Sequence, residues 1–343
     1  MEQCTHSDSE PRTVPGSRPS LGARLLVATL IGGTLGLLCW LGRVYLAHGG
    51  AGDFERPIDM ATDLLAGRNP YDHPYNFFNL PYPLPAAVCG LPFVWLPKEV
   101  AVGLFFGISA GLLAFAITQQ GYTRLLIFLS APFLSAFATL QWSPLIAAAA
   151  FFPVLSFLVL VKPQAALPIV ATRLNRTAVV AIALVAIASL LAMPSWPVEW
   201  LDKLGFHVGS DALRIDRYRT VWYVPLLTIP GIFILPALTC LRDRDARVLL
   251  LASLMPHNTT YDLFILWVIP RGRSEVVWTT ALSWGLLLLW FGPSFLAHLQ
   301  SGFIETATCF LPMVWILLIR QRSQRRPQDL RSAPVPWSAP VDR

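Results

Sequence analysis

Residues 125–161 read LLIFLSAPFLSAFATLQWSPLIAAAAFFPVLSFLVLV, a run bounded by Arg124 and Lys162 that contains no charged side chain. A helix needs about 20 apolar residues to cross the hydrocarbon core of a bilayer, so this run is long enough for two short passes. The break between them is predicted at Trp142-Ser143-Pro144, because proline ends a helix and disfavours helical backbone in the residue before it. Strands of a membrane barrel alternate apolar and polar residues, whereas this run is continuously apolar and rich in Leu, Ala and Phe. Helices satisfy their own backbone groups in lipid, and helices are the expectation.

The rest of the sequence repeats the pattern. Of 343 residues, 55% are hydrophobic and 13% charged, about half the charged share of an ordinary soluble domain, and mean hydropathy is +0.55. A water-soluble globule is excluded, and the scattered Gly and Pro exclude collagen and low-complexity disorder. Further apolar windows run over 25–42, 73–97, 100–123, 177–198, 220–241, 248–270, 276–297 and 303–319. The expected fold is all-α, a polytopic transmembrane helical bundle of about ten to twelve membrane helices.

Lys and Arg in short loops mark the cytoplasmic side. Arg12, Arg18 and Arg24 place the N-terminus there, and Arg320, Arg322, Arg325, Arg326, Arg331 and Arg343 the C-terminus. The same rule puts Arg173, Arg176, Arg242, Arg244 and Arg247 inside, leaving 44–80 and 194–219 as outer loops. Arg271 and Arg273 fit inside only if 248–270 enters and returns as a hairpin of half-helices. The chain thus divides into a polar tail over 1–20, a membrane domain over 21–320 and a basic, Pro-rich tail over 321–343. A multi-pass plasma membrane protein is expected, and the formal charge of +6 reflects topology, with no nucleic acid partner implied.

Cys4, Cys39, Cys89, Cys240 and Cys309 are far apart and lack CxxC spacing, so neither a disulfide framework nor a zinc site is indicated. GxxxxGK[ST] and HExxH are absent, which removes support for a nucleotide-driven pump or a zinc hydrolase of that type.

Ionisable residues at membrane depth cost several kcal/mol unless paired or wet, so the polar interruptions are the functional candidates. The first follows span one: Asp53, then Ile58, Ala61, Leu64 and Leu65 at amphipathic helical spacing, stopped at Gly67 and turned by Asn69-Pro70. Asp53 there is either the acid of a site or a residue that opens the helix or is solvated. The second is Lys162-Pro163-Gln164, where Lys162 suits a phosphate or snorkels to the interface. The third is Pro256-His257-Asn258-Thr259-Thr260-Tyr261-Asp262, a polar knot that breaks an apolar window and either lines a cavity or forms a short surface loop. The loop 194–219 adds Trp196, Trp200, Asp202, Lys203, His207, Arg214, Arg217 and Arg219, whose arginines suit an anionic headgroup if the run is more than a solvated loop.

In sequence order, Gly52-Asp53-Phe54, Gly67-Arg68-Asn69-Pro70-Tyr71-Asp72 and Leu80-Pro81-Tyr82-Pro83 resemble the first outer loop and second span of glycosyltransferase family 87. These are GT-C membrane glycosyltransferases related to polyprenyl-phosphate-mannose-dependent mannosyltransferases. Gln141-Trp142-Ser143-Pro144-Leu145 looks like the family's Gly-Gln-x-x-Pro/Asn-Leu turn, with Leu140 standing where the glycine is usual. Lys162-Pro163 looks like its Lys-Pro segment, and Pro256 to Asp262 is similar to its Ser-Pro-x-x-x-x-Tyr-Asp motif. The resemblance covers about 20 to 320.

The resemblance implies a GT-C-like fold and a hexosyltransferase, mannose favoured, that uses a polyprenyl-phosphate-sugar donor and a lipid or glycan acceptor at the outer face. It implies no cofactor and no essential metal. Asp53 matches the catalytic aspartate, with Asp59 as its rival. A single carboxylate base suffices for one inverting displacement. Lys162, His257 and Arg217 are candidates for the departing phosphate, and Gln141, Asp262, Asn69 and Tyr71 for the sugar or the pocket. Two alternatives stand beside this: a transporter or flippase for a lipid-linked sugar, which also needs broken helices and buried charge, and an inactive structural subunit.

Overall fold

The computed structural model describes residues 19–46, 52–72, 82–212, 223–256, 260–286 and 301–332. Among them helices are the only regular elements, with no β-sheet. Three helices are long and apolar enough to cross a membrane, Leu21–Tyr45, Lys98–Gln120 and Gly302–Ser323. The number becomes five if two bent pairs each make one span: Tyr122–Leu129 with Ala131–Thr139, bent by 63°, and Arg176–Ala192 with Trp196–Leu204, bent by 92°.

This is fewer full-length helices than the apolar windows predict, and the reason lies in how those windows fold. Several are broken or tightly wound: Tyr122–Leu129, Pro153–Leu160, Ile229–Cys240 and Thr260–Val268 are 3₁₀ helices. At about 2.0 Å rise per residue, a 3₁₀ segment covers more depth than an α-helix of the same length. Prolines at 153, 230 and 236 remove backbone donors and favour short, interrupted elements. The break expected at Trp142-Ser143-Pro144 is present, with one helix ending at Thr139 and the next spanning Ser143–Ala148. A second break falls at Ser130, whose hydroxyl accepts from the Phe133 N–H and caps the helix Ala131–Thr139.

We label α1 (Leu21–Tyr45), α2 (Glu55–Leu65), α3 (Pro85–Gly90) and α4 (Lys98–Ile117). α1 and α4 meet along a seam of glycines. A Cβ on Gly32 would lie 2.6 Å from the Gly107 carbonyl oxygen, one on Gly36 2.7 Å from that of Gly103, and one on Gly107 2.7 Å from that of Gly32. Only glycine permits this approach, the packing that small residues give helices in lipid. Elsewhere α1 leaves Leu25, Leu26, Leu30, Leu37 and Leu38 exposed. Apolar surface of this extent is what lipid covers.

α2 forms where the amphipathic spacing predicts a helix, and Gly67 follows it with φ +69°, the left-handed conformation that glycine adopts at little cost. Its apolar face packs on protein: Ile58, Met60 and Ala61 are buried, and Gly90 of α3 lies so close that a Cβ there would be 2.1 Å from the Pro57 carbonyl oxygen.

The helices α5 (Ala131–Thr139), α6 (Ser143–Ala148), α7 (Pro163–Thr172), α8 (Arg176–Ala192), α9 (Trp196–Ala212), α10 (Arg244–Leu254) and α11 (Arg273–Ser283) complete the middle of the chain. After them come α12 (Ser301–Glu305), a π-helical turn over Thr306–Phe310, and α13 (Leu311–Ser332), which continues beyond residue 320 into the expected tail.

Charged groups collect at two ends. At one, Asn69 Nδ2 donates to Glu199 Oε2 at 2.7 Å, joining the two segments assigned to the outer face. At the other, Arg271 and Arg320 hold Asp245 at 2.8 and 3.1 Å. The segment from Asp245 to Arg271 therefore leaves this end and comes back to it. α8 links the two ends, and its 17 residues cover about 25 Å at 1.5 Å per residue.

Candidate functional site

Asp53 is placed by its neighbours in sequence. Gly52 has φ +57°, and a Cβ there would lie 3.0 Å from both the Thr139 carbonyl oxygen and Arg43 Nη2, so glycine lets the backbone reach the end of α5. On the other side Phe54, fully buried, stacks on Phe105 with ring centroids 3.8 Å apart and meets Trp142 edge-on at 5.5 Å. A glycine contact and an aromatic anchor thus hold a half-buried carboxylate between them.

The turn beyond α5 presents its partner. Leu140 has φ 58°, the only non-glycine residue with positive φ among those described. This left-handed residue ends α5 and brings the Gln141 N–H to the Ala136 carbonyl at 2.8 Å. Gln141, 1% exposed, then donates from Nε2 to Asp53 Oδ2 at 2.6 Å.

Its other end accepts from Lys162 Nζ at 3.2 Å. Lys162 sits immediately before α7, with Pro163 in the first helical position where its missing N–H costs nothing. The ammonium is 2.9 Å from Asp262 Oδ1 and 4.7 Å from the centre of the Tyr261 ring. Both members of the ion pair are buried. Asp53, Gln141, Lys162 and Asp262 thus form one string of polar contacts drawn from four distant parts of the chain.

The other candidates distribute around it. Tyr82 points its hydroxyl at Asp53 Oδ2 from 3.5 Å. Tyr71 donates to the Tyr82 carbonyl at 3.1 Å, and Asn69 accepts from the Tyr71 N–H at 2.9 Å, so these two connect to Asp53 through Tyr82. Asp59 is drawn elsewhere, with Lys98 Nζ 2.9 Å from Asp59 Oδ1 and 2.6 Å from Glu55 Oε1. His257 and Arg217 lie outside the described residues.

Asp245, Glu305 and Arg124 are buried charged groups that escaped the sequence reading. Glu305 lies inside the apolar window 303–319, is 3% exposed and accepts from Thr260 Oγ1 at 2.7 Å, two residues from Asp262. Its signal was a lone acid among apolar residues, followed by a π-helical turn of the kind found at functional sites. Arg124, read as a span boundary, is 2% exposed and bonds to Gln120 and to the carbonyls of Trp267 and Val268.

The chain matches no protein family, no curated protein and no solved structure.

Proposed function

We propose that this protein is a multi-pass plasma membrane glycosyltransferase of the GT-C type, similar to glycosyltransferase family 87, that moves a sugar, mannose favoured, from a polyprenyl-phosphate donor to a lipid or glycan acceptor at the outer face. The observation that carries this reading is the hydrogen bond from Gln141 to Asp53, backed by the buried Lys162–Asp262 pair. It puts an oriented carboxylate beside a buried cation, the two charges that an inverting sugar transfer uses.

In this reaction the acceptor hydroxyl oxygen attacks the anomeric carbon and its proton passes to Asp53. The bond from that carbon to the phosphate oxygen breaks in the same displacement, and the electron pair leaves with the polyprenyl phosphate. Gln141 fixes which carboxylate oxygen is presented, because its amide occupies Oδ2. Lys162, joined to Asp53 through Gln141, meets the growing negative charge of the leaving group, with Asp262 balancing it in the resting state. Asp59 suits the base role less well than Asp53, since Lys98 already neutralises it.

The test is transfer of radiolabelled mannose from polyprenyl-phosphate-mannose in membranes containing the wild type or Asp53→Asn at equal abundance. Label entering lipid or glycan only with the wild type supports both the enzyme and its base. Equal transfer by Asp53→Asn rejects Asp53 as the base. Movement of an intact lipid-linked sugar across vesicles, without transfer, would favour the transport reading, to which the intramembrane ion pair also gives some support.

A further inference from the structure

Arg124, Arg173, Arg271 and Arg320 converge at the end of the bundle remote from Asn69 and Glu199. Arg271 and Arg320 bind Asp245 Oδ2 at 2.8 and 3.1 Å, and Arg173 stands 4.0 Å from its Oδ1. Glu275 takes Arg320 at 2.5 Å and the N–H groups of Arg271 and Gly272 at 2.8 and 3.0 Å. Arg124 lies within electrostatic reach of Asp245, Arg173, Arg271 and Arg320. Counting the neighbouring Arg244 and Asp243, five guanidiniums face three carboxylates, an excess of two positive charges.

That excess is not idle surface charge. Arg124 is buried and bonds only to neutral oxygens, while its Nε, like that of half-buried Arg173, has no hydrogen-bond partner among the described residues. A buried guanidinium without a counter-ion is costly, and an anion with several acceptor oxygens relieves the cost. We propose that this arginine cluster binds a phosphate group, carried either by the headgroup of an anionic phospholipid or by free inorganic phosphate. Asp245 is the opposing charge, but its Oδ2 is already shared by two arginines. By the arginine distribution this end faces the cytoplasm, where anionic lipid headgroups meet basic pockets between helices. The proposal is independent of the sugar-transfer reading.

The test uses the full-length protein in nanodiscs of phosphatidylcholine with or without phosphatidylglycerol, and in phosphatidylcholine with added inorganic phosphate. Retained lipid is counted by native mass spectrometry, and thermal stability is followed in parallel. Retention of phosphatidylglycerol over phosphatidylcholine is expected to fall about fivefold in Arg173→Gln, the effect of one arginine at an anionic surface, and to stay unchanged in Arg322→Gln, an exposed control. Arg124→Gln is expected to lose more, and if it fails to fold, Arg173→Gln still decides. Stabilisation of the wild type by inorganic phosphate alone, lost in Arg173→Gln, would identify the free anion as the ligand. Responses of the wild type and Arg173→Gln that are equal to both lipid and phosphate would overturn the proposal.

Discussion

Gln141 holds Asp53 by a 2.6 Å hydrogen bond, and it can do so only because its own carbonyl is turned the other way by Lys162. An amide has one donor end and one acceptor end, so the carboxylate on one side and the ammonium on the other leave a single sensible orientation. Gln141→Ala should therefore lower the transfer rate by about 100-fold through misplacement of Asp53, with little change in KM. Steady-state kinetics on protein of matched abundance checks this, and an unchanged kcat would remove Gln141 from the site.

The buried pair of Lys162 and Asp262 predicts a strong asymmetry between single and double variants. Lys162→Met alone leaves a buried carboxylate uncompensated and should cost about 3–5 kcal/mol of stability. Combining it with Asp262→Asn should restore most of that loss. Unfolding in detergent for all four proteins of the cycle measures the coupling, and additive effects would contradict the pairing.

The α1–α4 seam predicts opposite outcomes at two glycines of α1. Gly33 has open space where its Cβ would be, so Gly33→Ala should be neutral or stabilising by roughly 0.5–1 kcal/mol. Gly36→Ala meets the backbone oxygen of Gly103 at 2.7 Å and should destabilise by about 1–3 kcal/mol. Melting temperatures of the two variants, compared side by side, test the seam.

Gly52→Ala should harm function more than folding. A left-handed alanine costs about 1–2 kcal/mol, which a stable bundle tolerates. The new methyl also presses on Thr139 and Arg43 and pushes Asp53 away from Gln141. Transfer should fall at least tenfold while most of the protein still extracts as a folded species. Full activity in Gly52→Ala would show that the backbone contact does not position the acid.

The polar interruptions were legible because charge is rare in this chain and expensive at depth. Asp53, Lys162 and Asp262 each stood out alone, and Gln141 through the turn around it, yet nothing local tells that one amide connects them. The helix count was not legible: an apolar run carries no signal separating one long α-helix from a tight 3₁₀ segment and a short helix, as 122–139 illustrates. Glu305 was missed because one acid near the end of an apolar window barely alters its hydropathy, and Arg124 because a cation between two windows reads as a loop residue whether wet or buried. The conformation of Leu140 was hidden for a different reason. Leucine gives no hint of positive φ.

The return of the chain from Asp245 to Arg271 fixes a parity. Arg173, Asp245, Arg271 and Arg320 gather at one place, so on the proposed multi-pass topology each stretch between successive members crosses the membrane an even number of times. Adding or deleting one crossing within any stretch would strand an arginine in the wrong compartment. Insertion errors in this protein are therefore self-revealing, since a chain with an inverted segment cannot close the cluster around Asp245.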